Sequence, residues 1–420
     1  MRKIIPLSSP NRIDVSVPGS KSYTHRMLIA AALSDGRCVI ENALDSEDTR
    51  LTSEALKRWG VAVLDDGNKL VVFGRKGQLT AGQDSIFLGN SGTSMRLLTA
   101  VAALAEGKSV LTGTERLKAR PIQDLLDGLI QLGVAARSLA GNACPPVEIV
   151  GGRVHGGRAV LNCSLSSQFL SALLLIGPYT RKGIEIHAAQ GPVSRPYIDI
   201  TLDTMARFGV KSEREGYERF KVPGGQCYRC GEYAVEPDCS QAGYFWAAAA
   251  ITGSTVRVRG THPHSRQGDI RLAYIFGRMG CTVTAHTDGV SVKGADLAAV
   301  DVDMGDMPDV VPTLAVVAAF ARGRTVIRNV GHLKAKESNR LAAVCTELGK
   351  MGIDAGYDEH TLWVVGGRPQ AAAIDCHNDH RIAMSFAVAG LKTREVTILD
   401  EACVQKSFPR FWDVFEEFYR

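Results

Sequence analysis

A unit of about 70 residues recurs six times along the chain, and this period limits the possible folds more than any other feature. Each copy passes from a small or polar cluster into an apolar helical stretch, then a Gly or polar break, then a β-rich strand. The helical stretches are SKSYTHRMLIAAALSDG, SGTSMRLLTAVAALAEG, SSQFLSALLLIGPYTRKG, CSQAGYFWAAAAITGS, DVVPTLAVVAAFARGR and NDHRIAMSFAVAGLKTR. Their breaks fall at Gly36, Gly107, Gly183, Gly253, Gly323 and Thr393, so successive copies stand 71, 76, 70, 70 and 70 residues apart.

A second series lies between the first. Amphipathic stretches end in an apolar residue, a Gly and a strand: Trp59-Gly60-Val61, Leu132-Gly133-Val134, Phe208-Gly209-Val210, Met279-Gly280-Cys281 and Met351-Gly352-Ile353. A Gly just past a helix suits the left-handed conformation that closes it. The sixth stretch, FPRFWDVFEEFY, has no strand after it, and Lys3 to Leu7 is expected to supply that strand. Stretches that are apolar all round should be buried, and the amphipathic ones should cover a sheet. Helix and strand alternate, so the fold class is α/β, with three copies per domain. A chain of 420 residues also exceeds one ordinary core, which favours two domains.

The helix starts carry the chemistry. Ser20-Lys21-Ser22, Ser91-Gly92-Thr93, Ser166-Ser167-Gln168, Ser240-Gln241, Asp309 and Asn378-Asp379-His380-Arg381 precede the apolar helices. Arg120, Arg195, Arg266, Lys336 and Lys406 precede the amphipathic ones. Free N–H groups and the positive dipole end make such starts attractive to anions. Cations placed there cost roughly 0.3–1 kcal/mol each unless something negative lies between them. Ordinary ion pairs with Glu47, Asp48, Asp269 or Glu337 are the plainer explanation of any single one. KESNR is read as helical, with Lys336 and Arg340 four apart on one face. PGSKS lacks the glycine spacing of a nucleotide-binding P-loop.

Several classes are disfavoured. The net charge is +5 without Lys/Arg blocks, and aromatics are 6%, so no nucleic acid partner is expected. No apolar run has membrane-spanning length, and Met1 to Pro6 lacks a signal-peptide apolar region. Ten scattered Cys suggest reduced thiols and a cytoplasmic location. Cys227, Cys230 and Cys239 lack a fourth ligand at zinc spacing, so no metal is expected.

Taken together, PGSKS with Arg26, LDSEDTR, GNSGTSMR, Ala119-Arg120-Pro121-Ile122, SSQFLSALL, Ser194-Arg195-Pro196-Tyr197, Met307-Pro308-Asp309, KESNRL and NDHRIAMSFA resemble the 3-phosphoshikimate 1-carboxyvinyltransferase (EPSP synthase) family. They keep the family's order from residue 18 to residue 406. The resemblance implies two similar domains, each an inside-out α/β barrel of three repeated units, with the active site in the interdomain cleft. It places residues 1–19 plus 238–420 in one domain and 20–237 in the other. It implies transfer of the enolpyruvyl group of phosphoenolpyruvate to the 5-hydroxyl of shikimate 3-phosphate, without cofactor, by a monomer.

By that resemblance, Lys21, Ser22, Arg26, Ser166, Ser167, Gln168, Ser194, Tyr197, Asp309, His332 and Lys336 meet shikimate 3-phosphate. Lys21, Gly92, Arg120, Gln168, Arg340, Arg381 and Lys406 meet phosphoenolpyruvate. Asp309 is the general base, Glu337 protonates the methylene carbon, and Lys21, Lys336 and His380 stabilise charge or move protons. The bare Gly92 leaves room for a phosphonate mimic, so glyphosate sensitivity is expected. The chain departs from the family's usual residues at His332 and His25 (Asn in many members), Leu97 (Pro) and Arg195 (Lys). The related UDP-sugar enolpyruvyl transferases carry a Cys before the Arg-Pro pair, and Leu111 to Pro121 has none. An inactive binding protein would be expected to lose Lys21, Asp309 or Glu337, and all three are present.

Overall fold

The computed structural model describes residues 1–67 and 69–420. The chain forms two compact units: a central one, Gly19–Val235, and a terminal one made of Met1–Pro18 and Glu236–Arg420.

Among the described residues the strands form six sheets, three per unit, on one plan. A short strand lies parallel to a central strand, which then pairs antiparallel with a hairpin. In the terminal unit Asp301–Asp303 runs parallel to Arg324–Arg328, followed by Leu362–Val365 and Ala355–Tyr357. In the central unit Gly157–Asn162, Ile184–Gln190, Arg219–Val222 and Glu213–Glu215 repeat the pattern. A parallel pair needs a long crossover, and here a buried helix supplies it.

Among the described residues the sheet built on Val396–Ile398, parallel to Ala372–Ile374, has no hairpin from its own copy, where the helix Phe411–Phe415 and a final turn follow. Arg2–Lys3 pairs there instead, antiparallel, with Arg2 opposite Ile398. The expected N-terminal strand therefore does this work, but it is shorter than Lys3 to Leu7. Pro6 has no N–H to give, and only the isolated bonds from Ile4 N and Leu7 N continue the contact. The N-terminal segment adds a second strand that the sequence reading missed. Arg12–Val15 lies parallel to Thr255–Arg259.

The apolar stretches are the buried helices. Cys239–Thr252 is buried at every residue, as are Val311–Ala318 and His380–Gly390, and each of the three touches the other two. Lys21–Leu33, Gly92–Ala102 and Gln168–Ile176 meet in the same way in the central unit, buried except at Ser22, Thr93 and Gln168. The Ala run Ala247–Ala250 lets backbones approach closely, and Trp246 fills the neighbouring space with its indole N–H on Val290 O at 3.0 Å. The five amphipathic helices end as expected: Gly60, Gly133, Gly209, Gly280 and Gly352 all have positive φ, between 73° and 116°.

Candidate active site

In the central unit, side chains tie the starts of the three buried helices together. Lys21 opens the first and donates to Asp48 Oδ2 at 2.9 Å. Asp48 stands in the first turn of Glu47–Arg58, whose start is fixed by a capping box at Ser46 and Thr49. The Asp48 carbonyl accepts from Ser94 Oγ at 3.1 Å, which joins this group to the second helix start. From that helix Arg96 donates to Gln168 Oε1 at 2.8 Å, and Gln168 Nε2 returns to Thr93 Oγ1 at 3.0 Å. Gln168 opens the third helix, with its own N–H on Ser166 Oγ at 3.2 Å. Ser167 Oγ donates to Ser194 O at 3.2 Å.

Arg26 is buried, and its recorded partners are all neutral oxygens. Nε reaches Thr201 Oγ1 at 2.7 Å, Nη1 reaches Ser22 O at 2.9 Å, and Nη2 reaches Tyr197 O at 3.1 Å. Burial pulls its pKa down to about 10, against the opposing effect of the Tyr197 and Tyr23 hydroxyls. Arg120 is also buried, and its guanidinium lies directly over the Cα of Gly92.

The terminal unit holds a denser cluster. The Arg340 guanidinium donates to Asp309 Oδ1 at 2.9 Å, to Glu337 Oε2 at 2.7 Å and to Asp379 Oδ2 at 2.8 Å. Arg381 donates to the other Asp309 oxygen at 2.6 Å and to the Tyr244 hydroxyl at 3.3 Å. Asp309 is thus held between two guanidiniums. Burial opposes the Arg340 charge, but Asp379, Glu337 and Asp309 outweigh it and hold the pKa above the ordinary Arg value. Asp379 is also buried, and Arg340 more than offsets that cost, so its pKa falls below the usual carboxylate range. Asp379 additionally caps the helix His380–Gly390 through Arg381 N at 3.0 Å. His380 Nδ1 lies 3.8 Å from Asp379 Oδ1, and Lys406 is buried.

One expectation fails here. Within KESNR only Arg340 is helical. Asn339 caps the helix Arg340–Lys350 by accepting from Ala342 N at 3.3 Å, and Lys336 is extended. Lys336 and Arg340 therefore do not share a helix face. The bend instead returns Glu337 to Arg340, and Ser338 Oγ to Asp379 Oδ2 at 3.1 Å. The basic set at helix starts also divides: Arg120 and Lys406 are buried, whereas Arg195 and Arg266 are exposed. Of the plain ion pairs considered, Asp48 takes Lys21 and Glu337 takes Arg340, whereas Asp269 accepts from Ser240 Oγ.

His332 stands where many members of the resembling family have Asn. Burial, helped by the Lys336 and Arg340 charges, drops its pKa to about 3, so it is neutral at ordinary pH. Its Nε2 is buried with no hydrogen-bond partner among the described residues. A neutral imidazole with a bare nitrogen offers a ligand a hydrogen bond, as an Asn amide does. Asp269, fully buried, has its pKa pushed up to about 7, chiefly by burial and then by the nearby Asp309 charge.

The sequence reading missed Arg96, Tyr244 and the anchoring part of Asp379. Arg96 had a signal: it sits four residues after Gly92, on the same helix face. Tyr244 had none, since it looks like one more core aromatic in an apolar helix.

Buried Lys and Arg side chains at the starts of repeated helices, Lys21 and Arg340 beside carboxylates and Arg26 beside neutral oxygens, mark an α/β enzyme class that works on small acidic molecules. Comparison with known proteins narrows this. The family model for EPSP synthase (3-phosphoshikimate 1-carboxyvinyltransferase) matches residues 8–415, and the chain belongs to that family. The 3-phosphoshikimate 1-carboxyvinyltransferase of Syntrophobacter fumaroxidans is 42% identical over 420 residues, covering 99% of each chain. A chloroplastic 3-phosphoshikimate 1-carboxyvinyltransferase from Nicotiana tabacum is 43% identical, covering 96% of this chain and 82% of its own. The solved EPSP synthase of Acinetobacter baumannii superposes with a TM-score of 0.83 at 28% identity, covering 98% of this chain and 96% of that one.

Proposed function

We propose that this chain transfers the enolpyruvyl group of phosphoenolpyruvate to the 5-hydroxyl of shikimate 3-phosphate, releasing phosphate, in aromatic amino acid biosynthesis. The observation that carries the reading is Asp309, ionically held by Arg340 on one oxygen and Arg381 on the other. Two guanidiniums fix the direction of this carboxylate, as a positioned general base requires.

Shikimate 3-phosphate is held by Lys21, Ser22, Arg26, Ser166, Ser167, Gln168, Ser194, Tyr197, His332 and Lys336. Its phosphate meets the serines and its carboxylate meets Arg26, a cation whose recorded partners are neutral. Phosphoenolpyruvate is held by Lys21, Arg120, Gln168, Arg340, Arg381 and Lys406, with Gly92 leaving the space. Charge-assisted bonds of about 1.5–3 kcal/mol each suit ligands this acidic, and Arg matches carboxylate and phosphate with two donors at once.

Asp309 takes the 5-hydroxyl proton as the oxygen attacks C2 of phosphoenolpyruvate, and Glu337 gives a proton to C3. The tetrahedral adduct then returns the C3 proton and expels phosphate, leaving the enolpyruvyl ether. Lys21, Lys336 and His380 stabilise charge or relay protons. Glu337 is paired with Arg340 before substrate arrives. Phosphoenolpyruvate that engages Arg340 loosens that pair, which frees Glu337 to take up the proton it donates.

The two compact units correspond in this reading to two three-repeat domains, 1–19 with 238–420 and 20–237. The enzyme acts as a cytoplasmic monomer on small molecules alone. No described helix is long and apolar enough to cross a membrane. The test is to incubate the protein with both substrates and examine the sugar product by mass spectrometry. Shikimate 3-phosphate heavier by one carboxyvinyl group supports the reading, and an unaltered mass refutes it.

A further inference from the structure

The turn that delivers Asp379, His380 and Arg381 to their helix start has an uncommon backbone. Asp379 N donates to Cys376 O at 2.8 Å and closes four residues. Both central residues, His377 (φ 51°) and Asn378 (φ 52°), are left-handed. Turns with positive φ at both centres are built chiefly from Gly, Asn and Asp. Asn378 fits that rule. His377 carries a larger side chain in a conformation that disfavours it, so its surroundings must hold it there.

Glu347 provides the hold. It lies on the helix Arg340–Lys350 and is fully buried. Its Oε1 accepts from His377 Nε2 at 2.7 Å, and its Oε2 accepts from Asp375 N at 3.1 Å. A carboxylate only accepts, so Nε2 is the protonated ring nitrogen. Asp375 Oδ1 in turn accepts from His377 N at 2.7 Å. Lys350 Nζ donates to both Glu347 oxygens, at 2.9 and 2.8 Å, and balances the buried charge. The same helix therefore grips the turn twice: Arg340 holds Asp379 from the first residue, and Glu347 holds His377 two turns later.

We infer that Glu347 and His377 are positioning residues, whose contact locks the left-handed turn and so aims Asp379 and Arg381 at Arg340 and Asp309. The inference rests on the proposed use of Arg340 and Arg381 to hold phosphoenolpyruvate. None of its contacts involves the reacting atoms.

The full-length protein with His377→Leu loses the donor to Glu347 at similar bulk. His377→Gln keeps an amide N–H near the place of the imidazole Nε2. Hydrogen exchange of the amides from Asp379 to Ala383 is measured in all three proteins, alongside KM for each substrate. In His377→Leu, exchange at the turn should quicken about tenfold or more. The KM for phosphoenolpyruvate should rise about tenfold while that for shikimate 3-phosphate stays within about twofold. His377→Gln should restore both. Unchanged exchange in His377→Leu overturns the inference, and so does an equal rise in both KM values that His377→Gln fails to reverse. Exchange is read without turnover, so it decides the point even if the wild type released no phosphate and the functional reading fell.

Discussion

Gly92 owes its importance to Arg120: a Cβ built on Gly92 would lie 2.5 Å from Arg120 Cζ and 2.5 Å from its Nη1. No side chain fits there while the guanidinium keeps its place. The clashing group is the far end of a flexible side chain, so the fold survives and Arg120 moves. Gly92→Ala should therefore raise the KM for phosphoenolpyruvate about 10- to 100-fold, the loss of one or two charge-assisted bonds. The KM for shikimate 3-phosphate should hold. Glyphosate should compete with phosphoenolpyruvate in the wild type and lose potency in the variant. Steady-state kinetics with each substrate varied checks this, and equal potency in both proteins contradicts it.

Asp309→Ala separates binding from chemistry. Arg340 and Arg381 lose the carboxylate they share, so each becomes more available to an anion. Turnover should fall about 10²- to 10⁴-fold, the contribution of a positioned base. Calorimetric affinity for phosphoenolpyruvate should be equal or tighter. Near-native turnover would remove Asp309 from its role as base.

Asp269 bears on stability against pH. Its folded pKa, pushed up to about 7, exceeds the unfolded value of 3.8. Below the unfolded value both states are protonated and nothing is lost. Between the two values only the unfolded chain ionises, so stability falls as pH rises, and the loss is complete above about 7. Asp269→Asn cannot ionise and can still accept from Ser240. Its stability advantage over the wild type should grow from pH 4 to pH 8, by on the order of 2–4 kcal/mol. Urea unfolding across that range measures the difference, and a pH-independent gap counts against it.

His332 makes the opposite case. With a pKa near 3 it stays neutral throughout the working range. His332→Asn should keep kcat/KM within about fivefold, since one neutral hydrogen-bonding group replaces another. The pH profile from 5 to 9 should not move. A lost ionisation in that window would show that His332 titrates during catalysis.

Much of this was legible in the residues themselves. The period of about 70 marks each buried helix, because only helices apolar on all sides can meet at a core, and the glycines at 60, 133, 209, 280 and 352 mark where amphipathic helices stop. Lys21, Arg120, Arg381 and Lys406 stood out as cations where helix dipoles disfavour them, whereas Arg340 drew notice only through its spacing from Lys336. The bend at KESNR was not legible, because Asn339 can sit within a helix or cap one, and only its bond to Ala342 N decides. Nor was Glu347, which reads as one more surface carboxylate on an amphipathic helix until its partners Asp375 and His377 are known. The N-terminal strand Arg12–Val15 escaped because its partner Thr255–Arg259 lies over 200 residues away.

Phosphate release from phosphoenolpyruvate, measured with and without shikimate 3-phosphate, tests the catalytic reading most directly. Release should require both compounds and match the enolpyruvyl ether formed, mole for mole. Release that ignores shikimate 3-phosphate, or none at all with both present, would contradict a Lys- and Arg-lined site built to join two acidic substrates.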